Sequence, residues 1–176
     1  MSWNLDPAHS SVQFSVRHMM ISTVRGRFEE FSGTFEINED NPSDSSVDIV
    51  ITPASIYTRE DQRDTHLRSP DFFDAEKYPT ITFKSTRIEQ VDDNHARLVG
   101  DLTIKDITNE VTLDVEYAGQ AKSPYGTTSA GFTAKTKINR KDWELTWNQT
   151  LETGGVLVGD EIKIDIEIEL IKHAES

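Results

Sequence analysis

The sequence predicts an all-β protein, a long antiparallel barrel of about eight strands with one short helical region covering an end. Three observations carry this. The segment EIKIDIEIEL sets Ile162, Ile164, Ile166, Ile168 and Leu170 against Glu161, Lys163, Asp165, Glu167 and Glu169 without error, the period-two signature of a strand with one dry and one wet face. Similar alternation recurs along the chain, separated by polar loops at NEDNPSDSS, QVDDNH, QAKSPYGTTS and TLETGGV. Only Thr58 to Leu67, TREDQRDTHL, reads as a helix, its acidic first turn suiting a helix N-terminus.

Element by element, SVQFSVRH places Val12, Phe14 and Val16 on one side, and His18 shares their parity. VRGRFEEFSGTFEI, from Val24 to Ile37, changes its apolar phase between Phe28 and Phe31, which predicts a bulge or bend, easiest at Gly26 or Gly33. SSVDIVITP turns Val47, Ile49 and Ile51 inward, and TITFKST does the same for Ile81 and Phe83. After the helical region, Ser69 and Pro70 form an N-cap and N1 pair for one further turn through Phe73. LVGDLTIKDITNEVTLDVEYAG reads as two strands through a tight turn between Asp106 and Asn109, with Leu98, Leu102 and Ile104 on the first and Val111, Leu113, Val115 and Tyr117 on the second. GFTAKTKI brings Phe132, Ala134, Thr136 and Ile138 to one face. A sandwich and a closed barrel both solve the edge problem of such strands, and the strand lengths favour a long barrel. A barrel of this size is filled by side chains or holds one small elongated ligand.

With 176 residues the chain fits one domain spanning residues 1–176. Its 31 Asp+Glu against 18 Lys+Arg give a formal charge of -13, a field that repels nucleic acid and anionic membranes. There is no Cys, which removes disulfides, thiol nucleophiles and Cys-based metal sites. The start, MSWNLDPAHSS, has no basic n-region or apolar h-region, and no run approaches the roughly 20 apolar residues of a membrane helix. The expectation is a soluble cytoplasmic protein without stable membrane insertion and with no nucleic-acid partner.

WNLDPAHSSVQFSVRHM, VRGRF, FSGTF, RDTHLRSPDFFDAEKYPTITFKST, GDLTIKDITNEVTL, AGF, NRKDW and GGVLVGDEIKI together resemble the YceI family over essentially the full length of the chain. The resemblance implies an extended lipocalin-like barrel of eight antiparallel strands whose apolar bore takes a polyisoprenoid or similar long-chain amphiphile. It implies no catalytic reaction, and a homodimer is a family-level expectation. Glu144 stands where the family pattern commonly has a glycine after the aromatic of NRKDW.

The expected bore is Phe14, Val16, Phe31, Phe35, Ile49, Ile51, Phe83, Leu102, Ile104, Phe132, Trp147 and Ile164, with Phe72 and Phe73 as wall or lid. Alternation alone does not distinguish a hollow interior from a filled one. Polar candidates for contact with a ligand head are His18, His66 and Arg140. An anionic head such as a polyprenyl phosphate would need an Arg or Lys clamp, whereas a quinone-like head would not. No catalytic or metal residue is assigned. His9 and His18 sit too far apart along one strand to share an ion, and His66 and Asp71 straddle a Ser-Pro break. GxSxG, HExxH and DDxxD do not occur, which argues against an isoprenoid-modifying enzyme. The expected role is to carry or sequester a long-chain isoprenoid-type lipid with no resident cofactor. A stress-related scaffold acting through protein partners is the alternative from a different class.

Overall fold

In the computed structural model, residues 3–173 are described, and eleven strands form one antiparallel sheet. They are β1 (Asn4–Leu5), β2 (Ser11–His18), β3 (Ser22–Phe28), β4 (Phe31–Glu36), β5 (Ser46–Ile51), β6 (Ile56–Tyr57), β7 (Ile81–Gln90), β8 (His95–Ile104), β9 (Ile107–Lys122), β10 (Thr127–Asn139) and β11 (Val158–His173). The order is β4-β5-β7-β8-β9-β10-β11-β2-β3-β6, with β1 also on β11. The count exceeds the expected eight for two reasons. β1 and β6 are two-residue pieces, and the predicted Val24 to Ile37 strand is broken into β3 and β4.

That break curls the sheet. β3 pairs with β2 while β4, after only Glu29 and Glu30, pairs with β5 at the far edge. Trp3 bridges Phe35 of β4 while β1 pairs with β11, drawing the other margin in. The bend lies at Glu29 and Glu30, not at Gly26 or Gly33. Those glycines sit under aromatic rings: a Cβ on Gly26 would strike the Phe14 ring and one on Gly33 would come within 2.7 Å of the Phe35 ring and Ile49.

At the bend the backbone leaves the ladder, so its polar groups need other partners. The Glu29 N–H donates to Ser55 O (3.2 Å), the Glu30 N–H to Ser55 Oγ (3.0 Å), and Glu30 O accepts from Thr52 N–H (3.0 Å). The short 3-10 turn Pro53–Ser55 therefore holds the kink.

Elsewhere turn chemistry sets register. The hairpin between β8 and β9 turns on Lys105 and Asp106, two residues earlier than predicted; both have positive φ (54° and 62°), as a two-residue hairpin turn requires. Two bulges reset parity. One in β7, between Ser85 and Arg87, moves the inward set from Ile81 and Phe83 to Ile88 and Gln90. Another in β9, opposite Gly131/Phe132 and with Gly119 at φ 113°, brings Gln120 inward after Tyr117.

The helix α1 (Asp61–Arg68) starts later than its predicted Thr58, because Thr58 is used as an anchor. Buried Asp64 accepts from the Thr58 N–H (2.9 Å) and hydroxyl (2.5 Å), and Arg63 donates to Thr58 Oγ1 (2.8 Å) and O (2.5 Å). Arg68 reaches back to Ala54 O (2.8 Å) and Ile56 O (3.3 Å). Ser69 then ends the helix and opens the turn carrying Phe72, whose N–H donates to Ser69 O (3.0 Å). Among the described residues, no helix is long and apolar enough to cross a membrane.

Two stability outcomes follow from the local geometry. Ser55→Ala removes the partner of the Glu30 N–H and should lower unfolding free energy by about 1 kcal/mol, read by denaturant titration. Glu144 holds a left-handed conformation (φ 57°, ψ 27°) after the 3-10 turn Arg140–Trp143. Relief of about 1 kcal/mol of left-handed strain, offset in part by the greater freedom of an unfolded glycine, should make Glu144→Gly slightly more stable.

Candidate ligand-binding cavity

The alternating parity that buries one face of every strand leaves the barrel axis open. A cavity of about 680 Å³ runs along it, within the size range of small-molecule sites. Its wall takes Phe14 and Val16 from β2, Phe31 and Phe35 from β4, Ile49 and Ile51 from β5, Phe83 from β7, Leu102 and Ile104 from β8, Phe132 from β10 and Ile164 from β11. Phe72 and Phe73 also line it. The wall extends beyond the residues singled out from sequence, to Trp3, Ile37, Ile56, Leu67, Ile88, Tyr117 and Leu145 among others.

The two ends differ. At one, α1 and the following turn cover the opening. Phe72 is buried and packs against Trp147 (ring centroids 5.4 Å apart) and His66 (5.1 Å), and Phe73 meets Phe28 edge-on at 5.9 Å. Trp147 and His66 meet edge-on at 4.6 Å and neither lines the cavity; they form a second layer behind Phe72. This corrects the expected placement of Trp147 in the bore, because the 3-10 turn after β10 breaks the strand parity on which that placement depended. It also places His66 outside, with its Nε2 2.9 Å from Asp71 Oδ2 in a half-exposed pair. His18 likewise misses the cavity: it ends β2 opposite Val158, and the lining stops at Val16 and Val158.

Arg140 does line the cavity, yet its donors are spent. Its Nε donates to Gly159 O (2.8 Å), Nη1 to Leu145 O and to Trp147 O (3.0 Å), and Nη2 to Val158 O (3.4 Å), with Asp160 at 3.9 Å. The register of β11 against β2 slips between Val158 and Ile162, and the guanidinium fills that irregularity. Burial pushes the Arg140 pKa down and the Asp160 carboxylate acts against that shift. The residue is a structural rivet in the closed end. Lys carries three donors on one atom and does not reproduce the planar fork. Arg140→Lys should therefore cost about 2–4 kcal/mol of stability by stranding carbonyls, measured by chemical unfolding.

The opposite end is polar. Asn38, Glu39 and Asp40 from the loop after β4, Gln90, Asp92, Asp93, Asn94 and His95 around the β7–β8 loop, and Gln120 from β9 rim the opening. Gln120 Nε2 donates to Glu39 Oε1 (2.8 Å) and Lys172 Nζ donates to Glu39 Oε2 (3.2 Å), and both hold the Glu39 carboxyl below its ordinary pKa. The Asp92 carboxylate accepts from the Asn94 N–H and pairs with His95 Nδ1 (2.8 Å), which lowers the Asp92 pKa and raises that of His95. NEDNPSDSS and QVDDNH, which the sequence shows only as polar loops, supply most of this rim. The signal available was connection parity, since in an up-and-down sheet alternate loops fall at one end.

A separate His/carboxylate group lies outside the cavity lining: His9 Nδ1 is 2.7 Å from Asp6 Oδ2 and 3.3 Å from Glu169 Oε2. Its donors could meet at one cation. They are already paired with one another, and the Asp6 contact raises the His9 pKa.

The YceI-like domain profile matches residues 3–170. The chain belongs to the YceI family. A UPF0312 protein of Staphylococcus aureus strain bovine RF122 is 40% identical over 169 residues, covering 96% of each chain. The crystal structure of the Campylobacter jejuni YceI protein superposes with a TM-score of 0.77 at 32% identity, over 91% of this chain and 90% of that one. A polyisoprenoid-binding domain from Saccharophagus degradans shares the fold (TM-score 0.67, 16% identity, 98% of each chain). The all-β fold expected from sequence is the one observed.

Proposed function

We propose that this YceI protein binds a long-chain isoprenoid-type lipid, holding the chain in the barrel and the head at the polar mouth, and that it carries or sequesters that lipid without chemically altering it. One observation carries the reading: an apolar cavity of about 680 Å³ lies along the axis, closed at one end by Phe72 and Phe73 and rimmed by polar groups at the other. An amphiphile has the same polarity profile. The family assignment supports it, as does the shared fold of the Saccharophagus degradans polyisoprenoid-binding domain.

Each methylene moved from water into such a wall contributes about 0.8 kcal/mol, so a chain of about ten gains enough for tight binding before ordering and desolvation are subtracted. That contribution is non-directional, so the wall selects length and girth.

Two measurements test the proposal. Organic extraction of the purified protein followed by mass spectrometry, beside native mass spectrometry of the intact protein, should yield a stoichiometric long-chain lipid. Absence of any bound mass together with no uptake of added polyprenyl or quinone lipids removes the proposal. Ile164→Trp pushes a larger ring into the space that Ile164 lines and should reduce uptake of a C20 isoprenoid at least about tenfold, while the thermal midpoint stays within a few degrees because the added atoms enter a void.

A further inference from the structure

Charge around the cavity is one-sided. Among the described residues that line it, the only Lys or Arg is Arg140, at the closed end and fully engaged with carbonyls. At the mouth stand four carboxylates: Glu39, Asp40, Asp92 and Asp93. Two of them have local partners. Glu39 is held by Lys172, which also lies over the Trp3 ring at 4.7 Å, and Asp92 is held by His95. No ion pair reaches Asp40 or Asp93 among the described residues, and both side chains are exposed on rim loops. The bulge in β9 reinforces the asymmetry by turning Gln120 inward, where its amide donates to Glu39 instead of to a ligand.

A phosphate or carboxylate head placed at this mouth meets negative charge backed by a low-dielectric wall and by a chain of net charge -13. No Lys or Arg lines the described rim, and the donors there are the neutral amides of Asn38, Gln90, Asn94 and Gln120 and the His95 ring that Asp92 holds, none of them a clamp of fixed positive charge. A protonated amine meets two carboxylates without partners. We propose that the mouth discriminates by charge, so that the lipid site takes amphiphiles with a cationic amine head in preference to the same chain with a phosphate or carboxylate head. This rests on the reading of the cavity as a lipid site, and it makes Asp40 and Asp93 the specificity-determining residues.

The test uses one chain with three heads: geranylgeranylamine, geranylgeraniol and geranylgeranyl phosphate, titrated into the delipidated full-length protein by calorimetry at low and high salt. The amine should bind at least about tenfold more tightly than the phosphate at low salt, with the alcohol between, and the gap should narrow as ionic strength rises. In the double variant Asp40→Asn/Asp93→Asn the gap between amine and phosphate should close several-fold. Equal or tighter binding of the phosphate, or a gap indifferent to the double variant, overturns the charge selection and leaves the lipid site standing. Failure of all three to bind removes the lipid site itself, and this inference with it.

Discussion

Closure of the sheet by one bent strand is the constraint on which the rest of the molecule depends. β3 and β4 are a single run of chain serving opposite margins, and the two residues between them, Glu29 and Glu30, lose their ladder partners as the price of that bend. Ser55 and Thr52 replace those partners. The segment that follows must therefore return to the bend before β7 can begin, and this places α1 and Phe72 over the same end of the barrel. Asp64 and Arg63 on Thr58, and Arg68 on Ala54 and Ile56, tie the cover to the same short stretch. Bend and lid are thus one cooperative unit, and loosening the first would loosen the second.

Period two was legible wherever a strand ran straight. Phe14, Val16, Ile49, Ile51, Leu102, Ile104 and Ile164 face the cavity because nothing interrupts the pleat between them and the residues that set their parity. The phase change after Phe28 was equally legible as a bend, but its location was not. Glycines are the easiest places to kink a strand, yet here Gly26 and Gly33 are needed to admit the rings of Phe14 and Phe35, so the kink moved to residues with outside hydrogen-bond partners. Bulges were the other blind spot. A single extra residue in β7 and another in β9 redirect Ile88, Gln90 and Gln120, and no local sequence pattern marks where the partner strand skips. Trp147 became an outer layer because irregular backbone after Asn139 carries no parity to read, and His66, on α1, packs edge-on against it.

Arginine gives the clearest separation of charge from function. A buried guanidinium beside an apolar cavity invites a role in recognising an anion. Arg140 instead meets four backbone carbonyls that the loop Arg140–Trp147 and the irregular start of β11 leave without ladder partners. A planar fork with five donors satisfies such a set, and no single neutral side chain does. The polar demand at the closed end is internal, which leaves the head of any ligand to the other end.

The wall and the mouth then divide recognition between them. Burial of a chain along Phe14, Phe83 and Ile164 contributes the bulk of the affinity but is indifferent to the head, since contact with an apolar wall carries no sign. Discrimination has to come from groups whose interaction changes with the head, and in a rim open to water those interactions are individually small. Small terms decide specificity when the large term is common to all competitors, because specificity is a difference of affinities. A few carboxylates on two loops can therefore sort ligands that the bore cannot tell apart, and the loops can change composition without disturbing the strands that hold the chain.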